Sequence, residues 1–134
     1  MGLPGTDFPG LGVGLVIRRG RSILLYRRTR MPEAGHWNIV GGKVDHMEAC
    51  TDAVKREAEE ETGLTIGEMR FLCVYEYRSA EDGHHWVSLI YVTDDFGGEP
   101  RVMEPEKLPE FGWFDIDALP EKVSKFTLHA VGYL

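Results

Sequence analysis

Positive charge is scarce in this chain: 15 Lys and Arg stand against 22 Asp and Glu, a net charge of −7. A nucleic-acid or anionic-membrane partner calls for a basic face, so neither is expected. Cysteine is scarce too. The 2 cysteines, Cys50 and Cys73, fall in a predicted helix and a predicted strand and read as buried free thiols of a cytoplasmic protein rather than as a disulfide. His84 and His85 stand together at a predicted strand start, but no cysteine or third histidine is placed to complete a zinc site. Long apolar runs are absent. Residues 11–17 are broken by glycine and followed at once by Arg18 and Arg19, which suits neither a signal peptide nor a membrane span.

What is present fits one α/β domain over residues 1–134. Residues 11–17 and 22–27 read as strands around a turn at Gly20, and 36–40 as a short strand feeding Gly41 and Gly42. Residues 69–78 and 85–93 are rich in Val, Tyr and Ile and read as a strand pair around the turn 80–83. A polar loop over 94–109, a strand over 112–116 and a helix over 122–131 complete the chain.

The segment GKVDHMEACTDAVKREAEEETGL, residues 42–64, carries the chemistry. It predicts a helix that starts near Met47 or Glu48 and stops at Gly63, a suitable left-handed terminus. At about 100° per residue, Glu57, Glu60 and Glu61 share the sector of Cys50, Ala53 and Val54, while Lys55, Glu59 and Thr62 point the opposite way. A stripe that begins as core and ends as carboxylates crowds like charges unless a cation sits among them. Mg²⁺ is the natural choice, since it takes oxygen ligands and is shared between carboxylates and substrate phosphates. Arg56 is expected to reach back to Glu48 or the intervening loop and pin it to the helix.

Written as Gly42, five residues, Glu48, seven residues, then Arg56-Glu57-Ala58-Glu59-Glu60-Glu61-Thr62-Gly63-Leu64, the segment resembles the signature of the Nudix hydrolases. Val40, where proline often precedes the glycine pair, and Ala58, at an aliphatic position, depart from the pattern without touching its polar positions. The resemblance implies an α/β/α sandwich with a mixed sheet flanked by helices. It also implies Mg²⁺-dependent (Mn²⁺ substituting) hydrolysis of a nucleoside diphosphate linked to a group X. The metal would be held by Glu57, Glu60, Glu61 and a carbonyl of the glycine pair, Gly41 foremost. Glu57 or Glu106 would take the proton from the attacking water, with Glu104 a weaker choice than Glu106. Arg28 would contact phosphate. Trp37 reads as a core anchor or as a platform for the base, in a pocket near the 94–109 loop.

The stretch Glu104-Pro105-Glu106-Lys107 before Trp113 resembles that of small enzymes acting on nucleoside triphosphates. No proline follows Leu64 until Pro100, so the downstream marker of ADP-ribose hydrolases is missing. The expected reaction therefore yields nucleoside monophosphate and pyrophosphate. ADP-ribose or nucleotide-sugar hydrolysis is the alternative within the family, and a silent nucleotide-binding domain the alternative outside catalysis. A prenyl diphosphate isomerase would need a cysteine before the glycine pair, where Ile39 and Val40 stand. Many relatives dimerise, so a homodimer is possible.

Overall fold

Alternation along one strand organises the fold, in a computed structural model that describes residues 2–134. In β1 (Gly10–Arg19), Val13, Leu15 and Ile17 join one core cluster, while Val16 joins the other. That is the period of two imposed by the pleat. The chain turns at Gly20 (φ 62°) into β2 (Ser22–Arg27). Next come β3 (Trp37–Asn38), β4 (Val40–Lys43) and α1 (Cys50–Thr62). They are followed by β5 (Thr65–Ile66), β6 (Arg70–Ser79), β7 (His84–Thr93), β8 (Phe96–Gly97), β9 (Phe111–Asp115) and α2 (Lys125–Val131).

The main sheet runs β3-β2-β1-β7-β6, with β4 added to β1 and β9 to β2. β1 and β7 are parallel, from Gly10 opposite Trp86 to Ile17 opposite Thr93, and the other pairings are antiparallel. Ala53, Val54 and Ala58 of α1 close one face over Val13, Leu15 and Val40. Ala130 of α2 closes the other with Val16, Ile39 and Ile90. This is the mixed sheet flanked by helices that the sequence implied.

Several boundaries moved for identifiable reasons. The strand expected over 36–40 is two strands, because β3 pairs with β2 whereas β4 pairs with β1, placing Gly41 opposite Gly14 and Gly42 opposite Val13. The glycine pair is thus sheet rather than loop. Helix α1 starts at Cys50, later than expected, since Met47 is left-handed (φ 68°) and Ala49 is extended. Its end at Gly63 is as expected (φ 76°), with the Gly63 N–H on the Glu59 carbonyl. Thr62 does not face solvent: it is fully buried, donates to the Ala58 carbonyl at 2.7 Å and accepts from the Leu64 N–H. The helix expected from residue 122 starts at Lys125, where Ser124 caps it by accepting the Thr127 N–H. The long loop contains β8, paired with β5. Both cysteines are free.

A small polar network fastens α2 to the strand switch. Thr127 Oγ1 accepts the Ile39 N–H at 3.0 Å and donates to Asn38 Oδ1 at 3.1 Å, and Ser124 Oγ donates to the same oxygen at 2.6 Å. Thr127→Val keeps the shape and orphans the buried Ile39 N–H, so it should cost about 1–3 kcal/mol in urea unfolding. Lys125→Ala, at an exposed position of the same helix, should cost under about 0.5 kcal/mol. Equal midpoints for the two variants would show that the network adds nothing.

Candidate functional site

Arg56 is the hub of the acidic segment. Its Nε and Nη2 donate to the two carboxylate oxygens of Glu48, at 2.8 and 3.0 Å, and its Nη1 donates to Glu57 Oε1 at 2.6 Å. Glu60 and Asp45 lie 3.5 Å from the same guanidinium, and the Lys43 carbonyl accepts from Nη2 at 3.4 Å. The arginine therefore ties α1 to the chain between Lys43 and Glu48, as expected. Its hydrogen bonds, helped by the Asp45 N–H, hold the Glu48 carboxyl down at about 2.

Two carboxylates meet the glycine pair. Gly41 N–H donates to Glu61 Oε1 at 2.8 Å. A Cβ at Gly41 would overlap the Val13 carbonyl, so that position requires glycine by close approach, and one at Gly42 would displace the Glu57 carboxylate from where it stands. Glu61 is 7% exposed. Burial pushes its carboxyl up to about 8, opposed by the Gly41 N–H and reinforced by the charges of Glu57 and Glu104. Burial also raises Glu57, against the pull of Arg56.

Glu57 and Glu61 line a cavity of about 420 Å³, together with Gly41, Gly42, Arg28 and Lys107. Ile39, Trp86, Ile90 and Phe126 give it apolar walls, and Asn38, His84 and Ser88 line it as well. Arg28 spends its guanidinium on the loop over the cavity, donating to the carbonyls of Arg30, Met31 and Pro32. Glu33 (φ 55°) anchors the far side of that loop by accepting the Lys125 N–H. Tyr26 donates to the Arg101 carbonyl at 2.6 Å.

The remaining expected residues lie elsewhere. Glu60 is exposed, on the outer side of Arg56. Trp37 packs edge-on against Phe114, 5.0 Å between centroids, and its ring is part of the core around α2 rather than of the cavity. Glu106 is exposed and does not line the cavity; Thr29 bonds its backbone carbonyl. Glu104 is the loop carboxylate near enough to act on Glu61, and it pairs with Lys107 at 3.7 Å. Sequence reasoning missed Lys107, Trp86 and Ser88. The signal was present in the Gly10-x-Gly12-x-Gly14 alternation, which leaves one face of β1 without side chains.

Among the described residues no three His, Cys, Asp or Glu side chains converge on one point. The donor set still fits a divalent cation: Glu57 and Glu61 are oxygen ligands whose ionised forms are disfavoured where they stand, and a hard cation would reverse that.

Folded Glu61 keeps its proton up to about 8, whereas an ordinary carboxyl loses it near 4.5. Between those values the native state binds more protons, so stability must fall as pH rises. In chelator, wild-type melting temperature should drop across this window more steeply than that of Glu61→Gln, and Mg²⁺ should restore it near pH 8. Parallel pH profiles would mean that native Glu61 is already ionised. Arg56→Ala should lower unfolding free energy by about 1–2 kcal/mol, by removing the cation shared by Glu48, Glu57, Glu60 and Asp45. An unchanged urea midpoint would leave Arg56 without a structural part.

The NUDIX domain profile matches residues 8–131. A crystal structure of a MutT NUDIX hydrolase from Burkholderia pseudomallei superposes with a TM-score of 0.92 at 42% identity, over 96% of this chain and 99% of that one. An ADP-ribose pyrophosphatase of Methanocaldococcus jannaschii is 34% identical over 113 residues, 84% of this chain and 66% of the relative. An oxidized purine nucleoside triphosphate hydrolase of Danio rerio is 35% identical over 106 residues, 79% of this chain and 65% of the relative. The chain thus spans about two thirds of the length of these curated relatives. The domain match over residues 8–131 and the close superposition show that the chain belongs to the NUDIX family.

Proposed function

We propose that this chain is a divalent-metal-dependent pyrophosphohydrolase that cleaves a nucleoside triphosphate between its α and β phosphates, with Mg²⁺ as the ion. The observation that carries the reading is that one cavity combines the carboxylates of Glu57 and Glu61 with apolar walls from Ile39, Trp86, Ile90 and Phe126. A nucleotide combines a charged part and an apolar part in the same way. The volume, about 420 Å³, lies at the small end of ligand sites and suits one nucleoside rather than two. Relatives whose names specify ADP-ribose and oxidised purine triphosphates match comparably well, so the choice between them rests on the cavity.

Glu57 and Glu61, with Glu60 turned in from Arg56 and the Gly41 carbonyl, are the ligands assigned to the metal. When bound, Mg²⁺ supplies charge neutralisation of the diphosphate and a more acidic water. Lys107 brings a positive charge to the same cavity, where it meets phosphate oxygens. Arg28 acts through the loop it holds, shaping the cavity roof. Of the two expected proton acceptors, Glu57 lines the cavity and Glu106 does not, so Glu57 is assigned as general base. The apolar walls exclude water from the heterocycle and orient the nucleotide for in-line attack.

Glu57→Gln and Glu61→Gln should each keep the fold and lower kcat by roughly 10³-fold or more. Turnover within tenfold of wild type in either variant would remove that residue from the chemistry. With Mg²⁺ and a triphosphate, ion chromatography should show nucleoside monophosphate and pyrophosphate, and chelator should abolish both. A kcat/KM for ADP-ribose or a nucleotide sugar a hundredfold above any triphosphate would overturn the substrate assignment and leave the hydrolase reading standing.

A further inference from the structure

Trp86, Ser88 and Ile90 of β7 face the cavity, opposite Gly10, Gly12 and Gly14 of β1. Glycine at each alternate position strips this part of the sheet of side chains. A Cβ at Gly12 would come within 2.7 Å of Ser88 Oγ, and one at Gly14 within 3.0 Å of Ile39 Cδ1. The space above each glycine is thus taken by a neighbour, the Trp86 ring at Gly10, the Ser88 hydroxyl at Gly12 and Ile39 at Gly14, and these side chains line the cavity there.

Ser88 is 6% exposed, and its hydroxyl makes no hydrogen bond among the described residues. Every side-chain polar atom sealed from the surface has a partner, so this oxygen is one that opens into the cavity. A hydroxyl that opens into the cavity without a protein partner is free to bond a ligand atom there.

Its surroundings say which part of a ligand it meets. Ser88, Gly12 and Lys43 form one row across β7, β1 and β4, and the hydroxyl leans along that row: Ser88 Oγ and the Gly42 carbonyl of β4 lie 2.7 and 3.4 Å from the point that a Cβ of Gly12 would take. The side chains around Ser88 are apolar, Trp86, Ile90 and Ile39, which suits an aromatic ring better than sugar hydroxyls.

We propose that Ser88 is a specificity-determining residue, hydrogen-bonding the edge of a substrate heterocycle held among the apolar side chains of Ile39, Trp86 and Ile90. The inference rests on the nucleotide reading above. A hydroxyl both donates and accepts, so it selects for the position of a polar edge atom rather than for its sign.

The test is a comparison of kcat and KM for ribo- and deoxyribonucleoside triphosphates of every base, and for nucleotide sugars of differing base, in wild type, Ser88→Ala and Gly12→Ala. Melting curves check the fold. Ser88→Ala should lower kcat/KM for the best base about tenfold, through KM, and change the poorest base less than about twofold, so that discrimination shrinks. Gly12→Ala, whose methyl group covers the hydroxyl, should shrink it likewise, and decides alone if Ser88→Ala does not fold. A loss equal for all bases, or one that follows ribose against deoxyribose, overturns the inference while the nucleotide reading stands. A wild-type protein that hydrolyses none of these nucleotides overturns both.

Discussion

The acidic half of this molecule depends on the guanidinium of Arg56. It stands one residue before Glu57, on a helix whose next turn brings Glu60, and it reaches back eight residues to Glu48. Three carboxylates in that space repel one another unless a cation lies between them. Arginine serves because its planar fork presents five donors at fixed angles; a lysine ammonium would satisfy Glu48 or Glu57 but not both with the Lys43 carbonyl as well. Glu48 in turn accepts the Asp45 N–H, which fixes the turn leading into α1. One side chain thus sets the distance between the helix and the end of β4, and with it the place where Glu57 meets Gly42.

The two adjacent glycines do different things, because neighbouring strand residues face opposite sides. Gly41 lies too close to the β1 backbone for a side chain, and its N–H is free to hold Glu61; Gly42 faces α1, where the Glu57 carboxylate fills the space of a Cβ. β1 divides its own residues in the same manner. Val13, Leu15 and Ile17 build the core under α1, and Gly12 and Gly14 leave room for the cavity on the other face. Core and cavity are written into alternate letters of a single strand, so a one-residue slip in register would destroy both.

What the sequence revealed follows from how local the cause was. The acidic segment could be read because its meaning lies in helical spacing and one arginine, all within a few turns. Gly63 could be read because a left-handed helix end favours glycine. Trp37 was ambiguous, because stacking and burial both suit an indole, and only its contact with Phe114, far along the chain, decides between them. The choice of Glu106 over Glu104 failed to anticipate a turn closed by the Glu104 carbonyl, which accepts the N–H groups of Lys107 and Leu108 and leaves Glu104 nearer Glu61. The start of α1 was misplaced because Ala49 offers no capping side chain to mark it. The apolar walls of the cavity lay outside any local pattern, being assembled from residues of β7, α2 and the β3–β4 junction.

Glu61 shows how the site and the stability of the fold pull against each other. A carboxyl this deeply buried would rest more easily as an apolar residue, and its one hydrogen bond, from Gly41, does not offset the loss of water. Its ionised form is disfavoured by burial and by Glu57 and Glu104, and Lys107 answers only in part. Without a cation, the folded chain at neutral pH must keep Glu61 protonated or tolerate its charge, and either state is poorer than an empty apolar wall would be. On the metal assignment proposed above, a divalent ion would remove that penalty by binding the charged form, so that whatever free energy the fold forgoes at Glu61 would return as affinity for the metal once the site is loaded.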